Sequence, residues 1–298
     1  MPLAALALVL TGAVVHAAWN LLLAGAKDSE AAGAVALASG AVIFTPVALA
    51  TWDIRAAAWP YIVASALLEL AYFVLLGRAY ARAELSLVYP IARGSAPVLV
   101  LVVSAVLGTA RATGQVVGIL AVAAGIVAIR GLRRGVHRAD IVLALGVGVC
   151  IAAYTLVDKE GLKHAAPLPY LWVVNAAAAV VYLPLLAWGR GSRLRATVAW
   201  VRGGKPAGAC ARLRSGFGVV RAAVALRSVV AGIGVFGAYG LTLAALQRAP
   251  AAPVSALRET SVLFATAFAA VFLHERVTAA RAAGAVAVVV GVALIASG

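Results

Sequence analysis

The feature that most constrains this chain is a succession of apolar stretches, each about 20 residues long, separated by short breaks that carry charge or turn residues. A run of that length is what one helix needs to cross the roughly 30 Å hydrocarbon core of a bilayer. Such windows fall near 3–25, 31–51, 59–80, 85–108 and 113–131, and again near 139–158, 167–189, 228–247, 252–273 and 279–297. They are apolar throughout, whereas a membrane barrel would alternate along strands of about ten residues, so helices are the spanning element. The expected fold is all-α, a polytopic membrane protein with ten transmembrane helices. Composition agrees: 64% of residues are hydrophobic and 12% charged, against about 25% charged in soluble domains. The first run, "PLAALALVLTGAVVHAAWNLLLAGA", lacks a basic leader and exceeds the ~7–15-residue core of a signal peptide, so a retained span is expected and no soluble domain.

The chain then repeats itself. "GILAVAAGIVAI" at 118–129 matches "GAVAVVVGVALI" at 284–295, with Gly118 and Gly125 over Gly284 and Gly291. "ARGSAPVL" at 92–99 lies over "LRETSVLF" at 257–264, setting Arg93 over Arg258, and "AAWNLL" at 17–22 lies over "AAYTLV" at 152–157. Residues 1–131 and 132–298 thus read as two five-helix copies. Five is odd, so the second copy enters the membrane inverted, an architecture in which the binding site lies near the midplane between halves.

The formal net charge of +15 first suggests nucleic acid, but the basic residues gather between apolar runs, where they set topology, and no nucleic-acid partner is expected. Most of them follow odd-numbered spans, which by the positive-inside rule puts those loops in the cytoplasm and both termini outside. The long basic connection 190–227 reads as a solvated loop, or alternatively as a contact to lipid headgroups or a partner. Cys150 and Cys210 have no spacing that suggests a metal or a disulfide framework, and no cofactor motif is present. "GIGVFG" at 232–237 fits a dinucleotide fingerprint but lies inside a span without a preceding strand, so close helix packing explains it, as it does "GQVVG" at 114–118. His137, His164 and His274 sit at span ends, where solvated histidines are the default.

Charges inside the spans carry the functional information. A central Arg costs about 2.5–3.5 kcal/mol on insertion scales, so it faces a cavity or a partner. Arg93 lies about eight residues into its span, some 12 Å deep at ~1.5 Å per residue. Pro90 and Pro97 flank it and are expected to kink the helix, and Tyr89 precedes it by one turn on the same face. The second copy carries Arg258 and Glu259, then Thr260 and Ser261, shortly after Pro253. Either Arg258 and Glu259 neutralise one another or partners on neighbouring helices, or Arg93 and Arg258 line a central cavity and attract a carboxylate or phosphate. His16 and Asn20, one turn apart around Trp19, serve either packing or a solute. Glu69 is a mid-span carboxylate that either exchanges a proton or pairs with an arginine. Asp158 and Lys159 read as a membrane boundary more readily than as a site.

"HAAWNLL", "YPIARGSAPVL" and "LRETSVLFATAFAAVFLHERVTAARAAGAVAVVVGVAL", set in two five-span copies, resemble an EamA-type member of the drug/metabolite transporter superfamily over essentially the whole chain. The segment "LHERVTAARAAGA" is the most specific part; the first copy reads "LGTARATGQVVGI" there and lacks the acidic residue. The resemblance implies an inner-membrane secondary carrier, not an enzyme, that exports amino acids or other small metabolites by alternating access, with spans 4 and 9 along the path. It also implies cytoplasmic termini, opposite to the loop charge. On this reading Arg93 and Arg258 hold an anionic substrate group beside Glu259, while Tyr89, His16, Trp19 and Asn20 shape the pocket. Glu69 is then the candidate for proton coupling. The alternative is a lipid-handling membrane protein whose arginines meet a lipid phosphate.

Overall fold

The computed structural model describes residues 1–24, 29–82, 85–108, 113–130, 138–189, 214–272 and 278–297. Among them the chain is helical: α1 Leu3–Ala24, α2 Ser29–Ala50, a short 3-10 turn Ala56–Ala58, α3 Trp59–Arg82, α4 Leu85–Val106, α5 Thr113–Arg130, α6 Arg138–Gly161, α7 Pro167–Gly189, α8 Arg214–Arg248, α9 Ala251–Arg258, α10 Ser261–Phe272 and α11 Ala279–Ser297. Six of these helices are long and apolar enough to cross a membrane. Large side chains such as Val42, Leu49, Leu67, Val106, Val142 and Val180 are exposed, as a lipid-facing surface requires. The chain is therefore a multi-pass membrane protein, helical throughout its described spans.

Every apolar window coincides with a helix, with three differences of detail. The ninth is broken into α9 and α10. There the N–H of Glu259 donates to Ala256, that of Thr260 to Leu257, that of Val262 to Glu259 and that of Leu263 to Thr260. These are three-residue spacings, so the helix tightens for a turn instead of unwinding. The Thr260 hydroxyl also donates to the Leu257 carbonyl at 2.7 Å. Conversely α4 runs as one helix through Pro97, so the helix that is broken is the ninth window and not the fourth. Finally, residues 214–227, expected in the polar connection, form the first turns of α8. The remainder of that connection, with Cys210, lies outside the described residues, as do His137, His274 and the acidic position of the "LHERVTAARAAGA" segment.

Packing joins the N-terminal helices to the C-terminal ones. α5 lies against α11, α1 against α8, α3 against α6, α2 against α8, α7 against α3, α4 against α6, and α1 against α9 and α10; α4 also meets α9. Glycines permit the closest approaches. A Cβ on Gly118 would stand 2.7 Å from the Gly291 carbonyl, and one on Gly125 2.7 Å from that of Gly284. α5 and α11 are thus antiparallel and touch backbone to backbone. Gly232 faces Ala36 and Gly40 of α2, and Gly234 faces Trp19 of α1, so the fingerprint-like "GIGVFG" is a packing surface.

One end of the bundle is closely tied. Ile54 and Ala165 form an antiparallel bridge, flanked by Arg55 N–H to His164 O at 3.0 Å and Ala166 N–H to Asp53 O at 2.8 Å. The Lys159 ammonium donates to the carbonyls of Leu246 and Ala249 at the end of α8, where the helix dipole favours a cation. The Gln247 amide donates to Leu162 and Ala165, and His164 stacks on Tyr61.

Candidate functional site

On α4 the positions Ala92, Arg93, Ala96 and Val100 are buried, a stripe with helical spacing that aims Arg93 into the bundle. The Arg93 guanidinium, 7% exposed, donates to both oxygens of Glu259, at 3.0 and 3.3 Å. Its other amino group lies 3.3 Å from His16 Nε2. Arginine has only donors, so Nε2 accepts and the His16 ring proton resides on Nδ1. Glu259 sits at the α9–α10 break and is 1% exposed. Thus α1, α4 and the break are joined by one buried ion pair and one histidine.

Arg258 points elsewhere, because adjacent helical residues diverge by about 100°. It is partly exposed. Its Nη1 donates to the Tyr154 hydroxyl at 3.3 Å, and its guanidinium carbon lies 4.8 Å from the centre of the Tyr239 ring. Aromatic faces attract a guanidinium but leave its charge unneutralised. Among the described residues it has no carboxylate ion-pair partner. Tyr154 and Tyr239 meet edge to face at 6.1 Å, and Tyr72 of α3 joins Tyr154 at 6.3 Å.

Beyond this tyrosine wall lies Asp158, wholly buried. The Tyr170 hydroxyl donates to one of its oxygens at 3.0 Å and the Tyr239 hydroxyl to the other. Glu69 of α3, 7% exposed, is within electrostatic reach of Asp158 and Arg258. Its Oε2 is buried with no hydrogen-bond partner among the described residues.

The structure therefore brings together Arg93, His16 and Glu259 at one focus, and sets Arg258 and Glu69 at a second, around Tyr154, Tyr239 and Asp158. Trp19 packs edge-on to His16 at 5.0 Å, and its indole N–H is buried without a partner among the described residues. Asn20 is not drawn in: its amide folds back onto the His16 carbonyl at 2.8 Å. Tyr89 belongs to α4, but its side chain lies outside the described residues. Sequence reasoning passed over Tyr154, Tyr170 and Tyr239, and read Asp158 as a boundary. A signal was present, since Tyr154 lies over Trp19 in the repeat and Asp158 follows it by one turn on the same face. In the alignment of "ARGSAPVL" with "LRETSVLF", Gly94 lies over Glu259, so the segment around Arg93 has no acid at that place.

Buried charge at a helix break within a multi-pass helical bundle is an arrangement that solute-handling membrane proteins use. The EamA-like transporter family model matches residues 139–297, more than half of the chain. The protein belongs to this family, within the drug/metabolite transporter superfamily, and is a membrane transporter of that type, whose members are not enzymes. No curated protein sequence matches it. A solved crystal structure is similar with a TM-score of 0.69 at 19% identity, over 98% of this chain and 98% of that one. At that identity the likeness concerns the fold alone.

Proposed function

We propose that the protein is a secondary-active carrier of the cell's inner membrane that exports small metabolites, such as amino acids or organic anions, by alternating access. Two inverted five-helix repeats, 1–131 and 132–298, rock about the central charged cluster. The packing supports this reading. Gly118 and Gly125 lie over Gly284 and Gly291 in the repeat, yet Gly118 meets Gly291 and Gly125 meets Gly284. Such crossed, self-complementary contacts are what a two-fold axis between equivalent helices produces. The contact of α1 with α8 likewise has its counterpart in α3 with α6.

The observation that carries the binding role is Arg258, a partly exposed guanidinium on aromatic faces with no carboxylate partner among the described residues. Arg93 is already matched by Glu259. One arginine, not two, then receives the substrate's carboxylate or phosphate, while Arg93, Glu259 and His16 hold the two halves in register. Trp19 and the tyrosines frame the pocket, and Glu69 makes coupling to a proton gradient expected.

The test is uptake of pooled labelled amino and organic acids into proteoliposomes, with and without an imposed proton gradient. Saturable uptake is expected, and Arg258→Gln should lower it at least tenfold without loss of folded protein. Unchanged uptake by a well-folded Arg258→Gln variant would refute the role of Arg258.

A further inference from the structure

The central cluster does not balance its own charge. Arg93 and Glu259 cancel across their ion pair, and His16 accepts from Arg93 and so is neutral. What remains among the described residues is Arg258, seated on tyrosine faces and within electrostatic reach of two buried carboxylates, Glu69 and Asp158. With both ionised, two buried carboxylates outnumber the one cation near them among the described residues, and no ion pair ties either to it, a state that a low-dielectric site does not tolerate without a further counter-charge.

The hydrogen bonds locate the deficit. Asp158 is supplied by two tyrosine hydroxyls, Tyr170 from α7 and Tyr239 from α8, and Ser65 of α3 lies beside it. Glu69 has no equivalent: its Oε2 is buried and unpartnered among the described residues. The titratable groups within electrostatic reach of Glu69 are Asp158 and Tyr154 from α6, Tyr170 from α7, Tyr239 from α8 and Arg258 from α9. The phenols are weak acids, and Arg258 is the one cation among these neighbours.

We infer that Glu69 and Asp158 form a site for one exchangeable cationic group, seated at the free Glu69 oxygen and separate from the anion-receiving face of Arg258. Two sources share this chemistry: a proton from solvent, or the ammonium of a substrate whose anionic end lies at Arg258. The site rests on the same cluster as the carrier reading, but its occupancy is observable without transport.

Infrared difference spectroscopy of the full-length protein in lipid nanodiscs tests it. A protonated carboxyl has a C=O stretch that vanishes on ionisation. In spectra of the protein minus those of Glu69→Gln, one such band is expected, lost reversibly as pH rises. Glu69→Asp should keep a titrating band at a shifted frequency, which a misfolded variant would not give. Asp158→Asn should move the band without removing it. Methylammonium, added at a pH where the band is present, separates the sources. Loss of the band means that an ammonium displaces the proton, and an unchanged band means that the proton alone occupies the site. The proposal is overturned if no band appears at any pH, if the band survives Glu69→Gln, or if it is present at every pH and never exchanges. Failure of Arg258→Gln to alter uptake would leave this result untouched, so the two readings fail separately.

Discussion

Arg93 and Glu259 are the residues whose interaction is most exposed to a direct test. Removing one member of a buried ion pair leaves the other charge uncompensated, at a cost of about 3–5 kcal/mol, whereas replacing both by apolar groups of similar size is often close to neutral. Arg93→Met is therefore expected to lower the thermal midpoint in detergent strongly, and Arg93→Met/Glu259→Leu to recover most of the loss. Equal losses in both variants would mean that the pair contributes nothing as a pair. The two arginines were legible in the sequence because charge inside an apolar window is expensive wherever it occurs. Their partners were not. Arg258 and Glu259 are neighbours in sequence but diverge around the helix, so adjacency gave no information about pairing. Tyr154, Tyr170 and Tyr239 escaped notice because a tyrosine in an apolar helix is ordinarily core, and only a partner across the bundle shows its hydroxyl at work.

The helices were easier to read than the residues, since a membrane span must be apolar along its whole length. Where that requirement lapses, so does legibility. α8 has 35 residues, about 52 Å at ~1.5 Å per residue, well beyond the hydrocarbon thickness. Its first turns, with Arg214, Arg221 and Arg227, have the composition of a loop because nothing outside the bilayer obliges a helix to be apolar. The break between α9 and α10 was likewise not foreseen: prolines in α4 drew attention, while the tightened turn at Glu259 and Thr260 has no proline within it. The α5–α11 seam is built from small residues, which in the sequence read as marks of a repeat and not as this contact. A Cβ at Gly291 would stand 2.6 Å from the Gly118 carbonyl, so Gly291→Ala is expected to destabilise the protein by about 1–3 kcal/mol through overpacking. Thermal unfolding in detergent would measure it, and Gly33→Ala, where nothing lies within 4 Å, is the control.

Across the whole molecule, the proposed repeat is suggested by glycines and arginines that recur at nearly the same offset, whereas its place in the membrane is not legible. Loop charge and family resemblance point in opposite directions. The tied end of the bundle offers the means to decide. Lys163 lies there with its side chain 57% exposed, in a loop that the positive-inside rule places outside the cell. In a Cys150→Ser/Cys210→Ser background, Lys163→Cys is accordingly expected to react with an impermeant maleimide on intact cells. Reaction only after permeabilisation would assign the opposite orientation. The lopsided placement of Glu259 has a further consequence at this scale. Two first halves joined to one another would confront two arginines across the seam with Gly94 where each needs an acid, and two second halves would supply both acids at once. On the proposed two-repeat reading the halves are complements and not interchangeable copies, so neither would suit assembly with itself, and their union in one chain fixes the ratio of arginine to acid at the Arg93–Glu259 pair.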